Sequence, residues 1–109
     1  AVLVADGAPG AGHVAALRGD AAGELVLAER ILLTIGGCAA NVAVDLAKMG
    51  APPCVVGRVG GDVYGRVVPA MLAEHGVDVS LIGVSPACDT SQTLIVNVAG
   101  QDRRFIHTF

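Results

Sequence analysis

The stretch Gly36-Gly37-Cys38-Ala39-Ala40-Asn41-Val42-Ala43-Val44-Asp45-Leu46-Ala47-Lys48-Met49-Gly50 decides how the rest of the chain is read. Two glycines lead into a small-residue helix start, an asparagine stands in the first turn, and a glycine closes the segment. Backbone without a Cβ can approach a ligand closely, and the first free N–H groups of a helix point outward toward it. An amide one turn in can both donate and accept hydrogen bonds. Such a start suits a polyhydroxylated or anionic small molecule. It equally suits a tight turn with a local cap, and spacing alone leaves both readings open.

The periodicity predicts a helix through Gly50. Val42, Leu46 and Met49 recur at i, i+4, i+7 and are expected to form its buried face, with Asn41, Asp45 and Lys48 on another. Gly50 suits the position just past the helix end, and Pro52-Pro53 forbid continuation. Cys54-Val55-Val56-Gly57 then reads as a short buried strand. The strand before Gly36, this helix and this strand are expected to form a βαβ unit of a parallel sheet. Gly60-Gly61-Asp62 is the next loop. Asp62 is placed to cap a helix over 63–75 that buries Tyr64, Val67, Val68, Met71 and Leu72 and stops at Gly76. Pro69 inside it predicts a kink or an irregular first turn.

Residues 1–5 form an apolar run compatible with a buried strand, broken by the turn residues of 6–12. Further strands are expected over 13–17 and 24–35. After Gly76 the period becomes alternating: 81–84 is a short strand, and 93–98 and 103–109 are joined as a hairpin through Ala99-Gly100-Gln101-Asp102. With no helices between them, these strands are expected to form a separate antiparallel layer with 13–17 and 25–35.

Composition narrows the classes. Hydrophobic residues make up 53% of the 109, aromatics 3%, and Trp is missing, so the core must come from Ala, Val, Leu and Ile, as in tightly packed α/β proteins. A net charge of −3 without a basic run argues against a nucleic-acid or acidic-membrane surface. The longest uncharged run, 31–44, is too short for a bilayer and carries Gly36-Gly37 and Asn41. No leader peptide is recognisable before Asp6. Cys38, Cys54 and Cys88 are widely spaced and without a CxxC pair, which fits reduced thiols in a cytoplasmic protein rather than a zinc site. The opening and closing strand-like segments, without caps, point to a fragment.

In this order the pieces resemble the PfkB (ribokinase-like) family of carbohydrate kinases. The resemblance rests on Gly36-Gly37-Cys38-Ala39-Ala40-Asn41-Val42-Ala43, on Leu46-Ala47-Lys48-Met49-Gly50-Ala51, and on Val56-Gly57-Arg58-Val59-Gly60-Gly61-Asp62-Val63-Tyr64-Gly65. It continues through Gly76-Val77-Asp78 and Asp89-Thr90-Ser91 into the hairpin. It implies an α/β fold: a partial ribokinase-like (Rossmann-like) α/β/α sandwich with a small antiparallel β-sheet lid. Residues 1–109 would be the N-terminal portion, with lid strands at about 12–35 and 80–109 and a βαβ core from 1–6 and 36–78.

The resemblance also implies transfer of the γ-phosphoryl group of ATP, with Mg²⁺, to a hydroxyl of a sugar or nucleoside. Gly36, Gly37, Cys38, Ala40 and Asn41 would bind the substrate, with Asn41 foremost, and Gln92 and Arg104 would line its other side from the lid strands. A homodimer through the lid is a possible partner arrangement; nucleic acid and membrane are not expected partners. Two departures stand out. Gly12 occupies the place of a sugar-binding Asp at the end of the family's first strand, with Asp6 a substitute only if the register slips. The family's Gly-Ala-Gly-Asp segment, which supplies the catalytic base and charge-stabilising backbone N–H groups, does not occur, so no catalytic residue is assigned and residues 1–109 alone are expected to be inactive.

Other residues have plainer readings. His13 and His107 fall on lid strands, and His75 sits at a helix end where the dipole favours it. Cys38 is read as a small packed residue, although a helix N-terminus can lower a thiol pKa. Arg103 and Arg104 alternate across a strand, so at most one faces a substrate. A dinucleotide-binding oxidoreductase would need G-x-G-x-x-G after the first strand, and Gly7, Gly10 and Gly12 have the wrong spacing. A non-catalytic, truncated or dimerising domain is the remaining alternative.

Overall fold

The computed structural model describes residues 1–7, 28, 30–98 and 102–109, and the side chains of all of these except 3–7 and 98. The expected strand over 13–17, Gly12 and the rest of the expected turn over 8–11 lie outside the described residues, while Asp6 and Gly7, expected in that turn, belong to the first strand. Among the described residues, six strands and two helices follow in the order β1 (Val2–Gly7), β2 (Arg30–Thr34), α1 (Cys38–Lys48), β3 (Cys54–Gly60), α2 (Val63–Glu74), β4 (Asp78–Ser85), β5 (Gln92–Val98) and β6 (Arg104–Thr108).

They make two sheets. Strands β2-β1-β5-β6 form one, and β3-β4 the other. The four-stranded sheet is antiparallel at β1/β2 and β5/β6 but parallel at β1/β5, where Val2 pairs with Thr93 and Asp6 with Asn97. The hairpin expected from 93–109 is present, in a register that sets Gln92 opposite Thr108 and Val96 opposite Arg104.

Three expectations are corrected here. Residues 1–6 do not join the βαβ core; β1 lies inside the four-stranded sheet, between β2 and β5. A short apolar run says that a strand is buried, not which sheet buries it. Strand β4, expected in the antiparallel layer, instead runs parallel to β3, pairing Val56 with Leu81 and Gly60 with Ser85. The βαβ unit is therefore β3-α2-β4, not a unit built on β2, α1 and β3.

Both helix ends explain why the chain turns where it does. At the end of α1, Gly50 N–H donates to Ala47 O (3.1 Å) and Ala51 N–H to Leu46 O (3.0 Å). At the end of α2, Gly76 N–H donates to Ala73 O (2.9 Å) and Val77 N–H to Leu72 O (3.2 Å). Both are Schellman closures, satisfying carbonyls that the helix leaves without partners. The second also brings Val77 onto Leu72, and both are buried in the core. Asp62 caps α2, accepting from Gly65 N–H at 2.8 Å. The helix runs unbroken through Pro69.

The core is small and aliphatic: Ala43 and Val44 of α1, Leu72 of α2 and Val77, with Ile35, Ala40, Ala47, Val55, Val68, Val79 and Ile82 packed around them. The buried face of α1 is thus 40, 43, 44 and 47. Val42 is 57% exposed and Met49 80%, so the expected stripe of Val42, Leu46 and Met49 faces away from the core. Alanines at 40, 43 and 47 let the helix backbone approach the sheet closely, and the larger side chains stay on the open flank.

Candidate functional site

The loop 35–37 joins the two sheets, leaving β2 and entering α1. Gly37 takes φ 95° and ψ 151° at the helix N-cap. A positive φ of this size is disfavoured for any residue with a side chain, so glycine here is a backbone requirement. The helix starts without a side-chain cap, and its first intrahelical bond is Asn41 N–H to Gly37 O at 3.0 Å. Gly36 has a different constraint. A Cβ built on it would lie 2.6 Å from Cγ2 of Val2, so the loop passes directly under the start of β1.

The loop and the first turn of α1 hold together five of the residues singled out from the sequence: Gly36, Gly37, Cys38, Ala40 and Asn41. Gly37, Cys38 and Asn41 are exposed, while Ala40 is half-buried against the core. Asn41 lines an open cleft of about 360 Å³ with Thr34, Ile35, Val44, Asp45, Lys48 and His75. Asn41, Asp45 and Lys48 stand at i, i+4, i+7, the polar face expected from the sequence. Thr34 and His75 come from β2 and the end of α2, and only the tertiary fold brings them there.

Gln92 and Arg104 are placed apart from this loop and from one another. Gln92 pairs with Thr108 at one end of the β5–β6 ladder, and Arg104 pairs with Val96 at the other. Strand alternation puts Gln92, Leu94, Arg104, Ile106 and Thr108 on one face. On that face Gln92 lines a cleft of about 260 Å³ with Leu33, Leu94, Ile106, Thr108 and Tyr64 of α2. Val2, Thr93, Ile95 and His107 alternate to the opposite face, the one that meets Gly36 through Val2. There Thr93 Oγ1 and His107 Nδ1 are hydrogen-bonded at 2.8 Å, and His107 stacks edge-on to Phe109 with centroids 4.5 Å apart. Val2, Thr93 and His107 thus share one face of the four-stranded sheet. The pairing of β1 with β5 is what brings them together.

Asp62 and Thr90 form the most tightly bonded polar group described. Thr90 Oγ1–H donates to Asp62 Oδ1 (2.6 Å), Thr90 N–H donates to Asp62 Oδ2 (3.0 Å), and Gly60 N–H donates to Thr90 Oγ1 (2.9 Å). Thr90 is 7% exposed. The hydroxyl of Thr90, then its N–H and that of Gly65, hold the Asp62 carboxyl below its ordinary pKa. Gly61 and Asp62 thus form the turn and helix cap expected, while Gly60 closes β3. Asp78 is held low in the same way by Ser80, whose N–H donates to Asp78 Oδ1 at 2.9 Å.

Among the described residues no three His, Cys, Asp or Glu side chains converge, so these residues do not form a divalent-cation site of their own. Nor is any helix of the described residues long and apolar enough to cross a membrane.

This α/β architecture is that of the ribokinase-like kinases. A PfkB protein from Polaromonas sp. JS666 superposes with a TM-score of 0.72 at 26% identity, over 97% of this chain and 31% of that one. An Arabidopsis thaliana ribokinase, solved in complex with ribose and ATP, gives 0.73 at 21% identity over 98% of this chain and 32% of that one. The model of the pfkB family of carbohydrate kinases matches residues 11–109, and the chain belongs to that family. A fructokinase of Klebsiella pneumoniae is 39% identical over 75 residues, which is 69% of this chain and 24% of the relative. An aminoimidazole riboside kinase of Salmonella typhimurium is 35% identical over 88 residues, 79% of this chain and 27% of the relative. The matched stretch thus spans about a quarter of those relatives' length.

Proposed function

We propose that residues 1–109 are the sugar-binding, N-terminal part of a kinase that transfers the γ-phosphoryl group of ATP to a hydroxyl of a sugar or nucleoside. The observation that carries this is the loop at Gly36-Gly37. It turns with a positive φ straight into a helix whose N-terminus has no side-chain cap, with Asn41 exposed one turn in. Free N–H donors and one amide in that arrangement match the donor and acceptor pattern of vicinal hydroxyls. The strand face carrying Val2, Thr93 and His107 is the surface from which a lid would close on the same substrate. Gln92 and Arg104 remain candidate lid contacts, reached from the other face or the far end of the hairpin.

The chemistry is assigned elsewhere in the protein. Phosphoryl transfer needs a base at the attacking hydroxyl and donors around the transferred group. No residue of 1–109 is assigned either role, and ATP and Mg²⁺ belong with residues outside this stretch. The test is ATP turnover by the whole protein across a panel of ketoses, aldoses and nucleosides, repeated with Asn41→Ala. Sugar-dependent turnover that drops sharply in the variant supports the reading; turnover equal to the parent removes Asn41 from the site.

A second reading, a self-associating module, is favoured by the edges of the four-stranded sheet. Ile31 of edge strand β2 is 64% exposed and Phe105 of edge strand β6 is 61% exposed. Exposed apolar residues on the outer strands of a sheet favour the addition of a further strand. Sedimentation of the whole protein distinguishes a dimer from a monomer.

A further inference from the structure

We propose that Asp62 and Thr90 form a latch that sets where the four-stranded sheet sits over the Gly36–Asn41 loop. This would make the pair positioning residues for substrate binding, and the substrate half of the inference rests on the sugar-binding reading above.

The two residues belong to different parts of the fold. Asp62 caps α2 of the βαβ unit, while Thr90 lies in the segment that leaves β4 and enters β5 of the other sheet. Their connection is far stronger than a cap requires. One carboxylate accepts three hydrogen bonds, two of them from Thr90 and one from Gly65. The Thr90 hydroxyl donates to it while accepting from Gly60 N–H, so the hydroxyl has both a donor and an acceptor partner. Thr90 is buried, so little water competes for its hydroxyl and leaving that hydroxyl without a partner is costly. The approach is close on the backbone side too. A Cβ on Gly60 would come within 2.5 Å of Thr90 N, so only glycine lets the segment seat this deeply.

From Thr90 the connection to the loop is short. Three residues on, Thr93 pairs with Val2 across the parallel β5/β1 ladder, and Thr93 N–H donates to Ala1 O at 3.0 Å. Val2 in turn fills the space over Gly36. The latch, β5, β1 and the loop therefore form one continuous chain of contacts. Loosening the latch frees the sheet relative to the loop without altering any residue that would touch a substrate.

The pair is tested in the whole protein with Thr90→Val, which keeps the shape and removes the hydroxyl, and Thr90→Ser, which keeps the hydroxyl. Amide exchange of 92–98 is compared with that of 54–59, which leaves out Gly60 because its N–H is bonded to the Thr90 hydroxyl, together with sugar-dependent kinetics. Thr90→Val is expected to speed exchange in β5 at least tenfold more than in β3. It should also raise KM for the sugar about tenfold, with kcat changed less than threefold and KM for ATP unchanged; Thr90→Ser should restore both. Exchange raised equally in β3 and β5, or sugar KM within twofold of the parent, overturns the latch. If the parent phosphorylates no sugar, the kinase reading fails, and the exchange ratio alone still decides the latch.

Discussion

Val2 and Gly36 are locked together: the Cγ2 of the valine stands where a β-carbon on residue 36 would have to go, 2.6 Å from its ideal position. This contact ties the start of β1 to the loop that begins α1. Gly36→Ala is expected to destabilise the protein by about 1–3 kcal/mol through overpacking against a stiff β-branched side chain. Because the obstacle is a side chain, Val2→Ala in the same protein should recover much of the loss. A urea double-mutant cycle measures it, and strictly additive effects would show that the two residues are not coupled.

Gly37 fails for a different reason. Nothing lies within 4 Å of a β-carbon there, yet its φ is 95°. Gly37→Ala should therefore cost about 1–3 kcal/mol from backbone strain alone, and no second-site truncation should rescue it. Urea midpoints of Gly37→Ala with and without Val2→Ala check this.

The Asp62 carboxyl gives the fold an acid-sensitive point. Its folded-state pKa lies below the unfolded value, so its hydrogen bonds add stability at neutral pH that is lost as pH falls through the folded pKa. Asp62→Asn should be less stable than the parent near pH 7, and the two should converge well below pH ~4, the ordinary carboxylate range. Thermal melts from pH 7 to 2 measure the difference.

The two flanks of α1 should respond unequally. Leu72 of α2, packed against Val44, is 2% exposed, and Leu72→Ala is expected to cost about 2–5 kcal/mol. Met49→Ala, on the open flank, should stay within about 0.5 kcal/mol. Denaturant midpoints of the two variants give the comparison.

What the sequence made legible is what local chemistry determines. Gly37 and Gly50 bound α1, Asp62 and Gly76 bound α2, and the alternation of 93–98 and 104–108 marks the hairpin, because caps, positive φ and strand period are written in neighbouring residues. The face of α1 was not legible, since Ala40, Ala43, Val44 and Ala47 are as apolar as Val42, Leu46 and Met49, and only the sheet chooses between them. Nor was the partner of β1, whose pairing with β5 joins residues 91 positions apart, as in Val2 with Thr93. The loop of the candidate site was readable from Gly36-Gly37 and Asn41. Val2, Thr34, Thr93, His75 and His107 around it were not, because they arrive from five separate elements or element ends.

The Gly36–Asn41 loop is the proposed seat of the sugar. The most direct test is calorimetric binding of the turned-over sugar to the whole protein and to its Asn41→Ala variant, with ATP binding measured alongside. Losing hydrogen bonds between the amide and a hydroxyl should weaken the sugar at least about tenfold and leave ATP binding unchanged. Equal sugar affinity in parent and variant would contradict the claim.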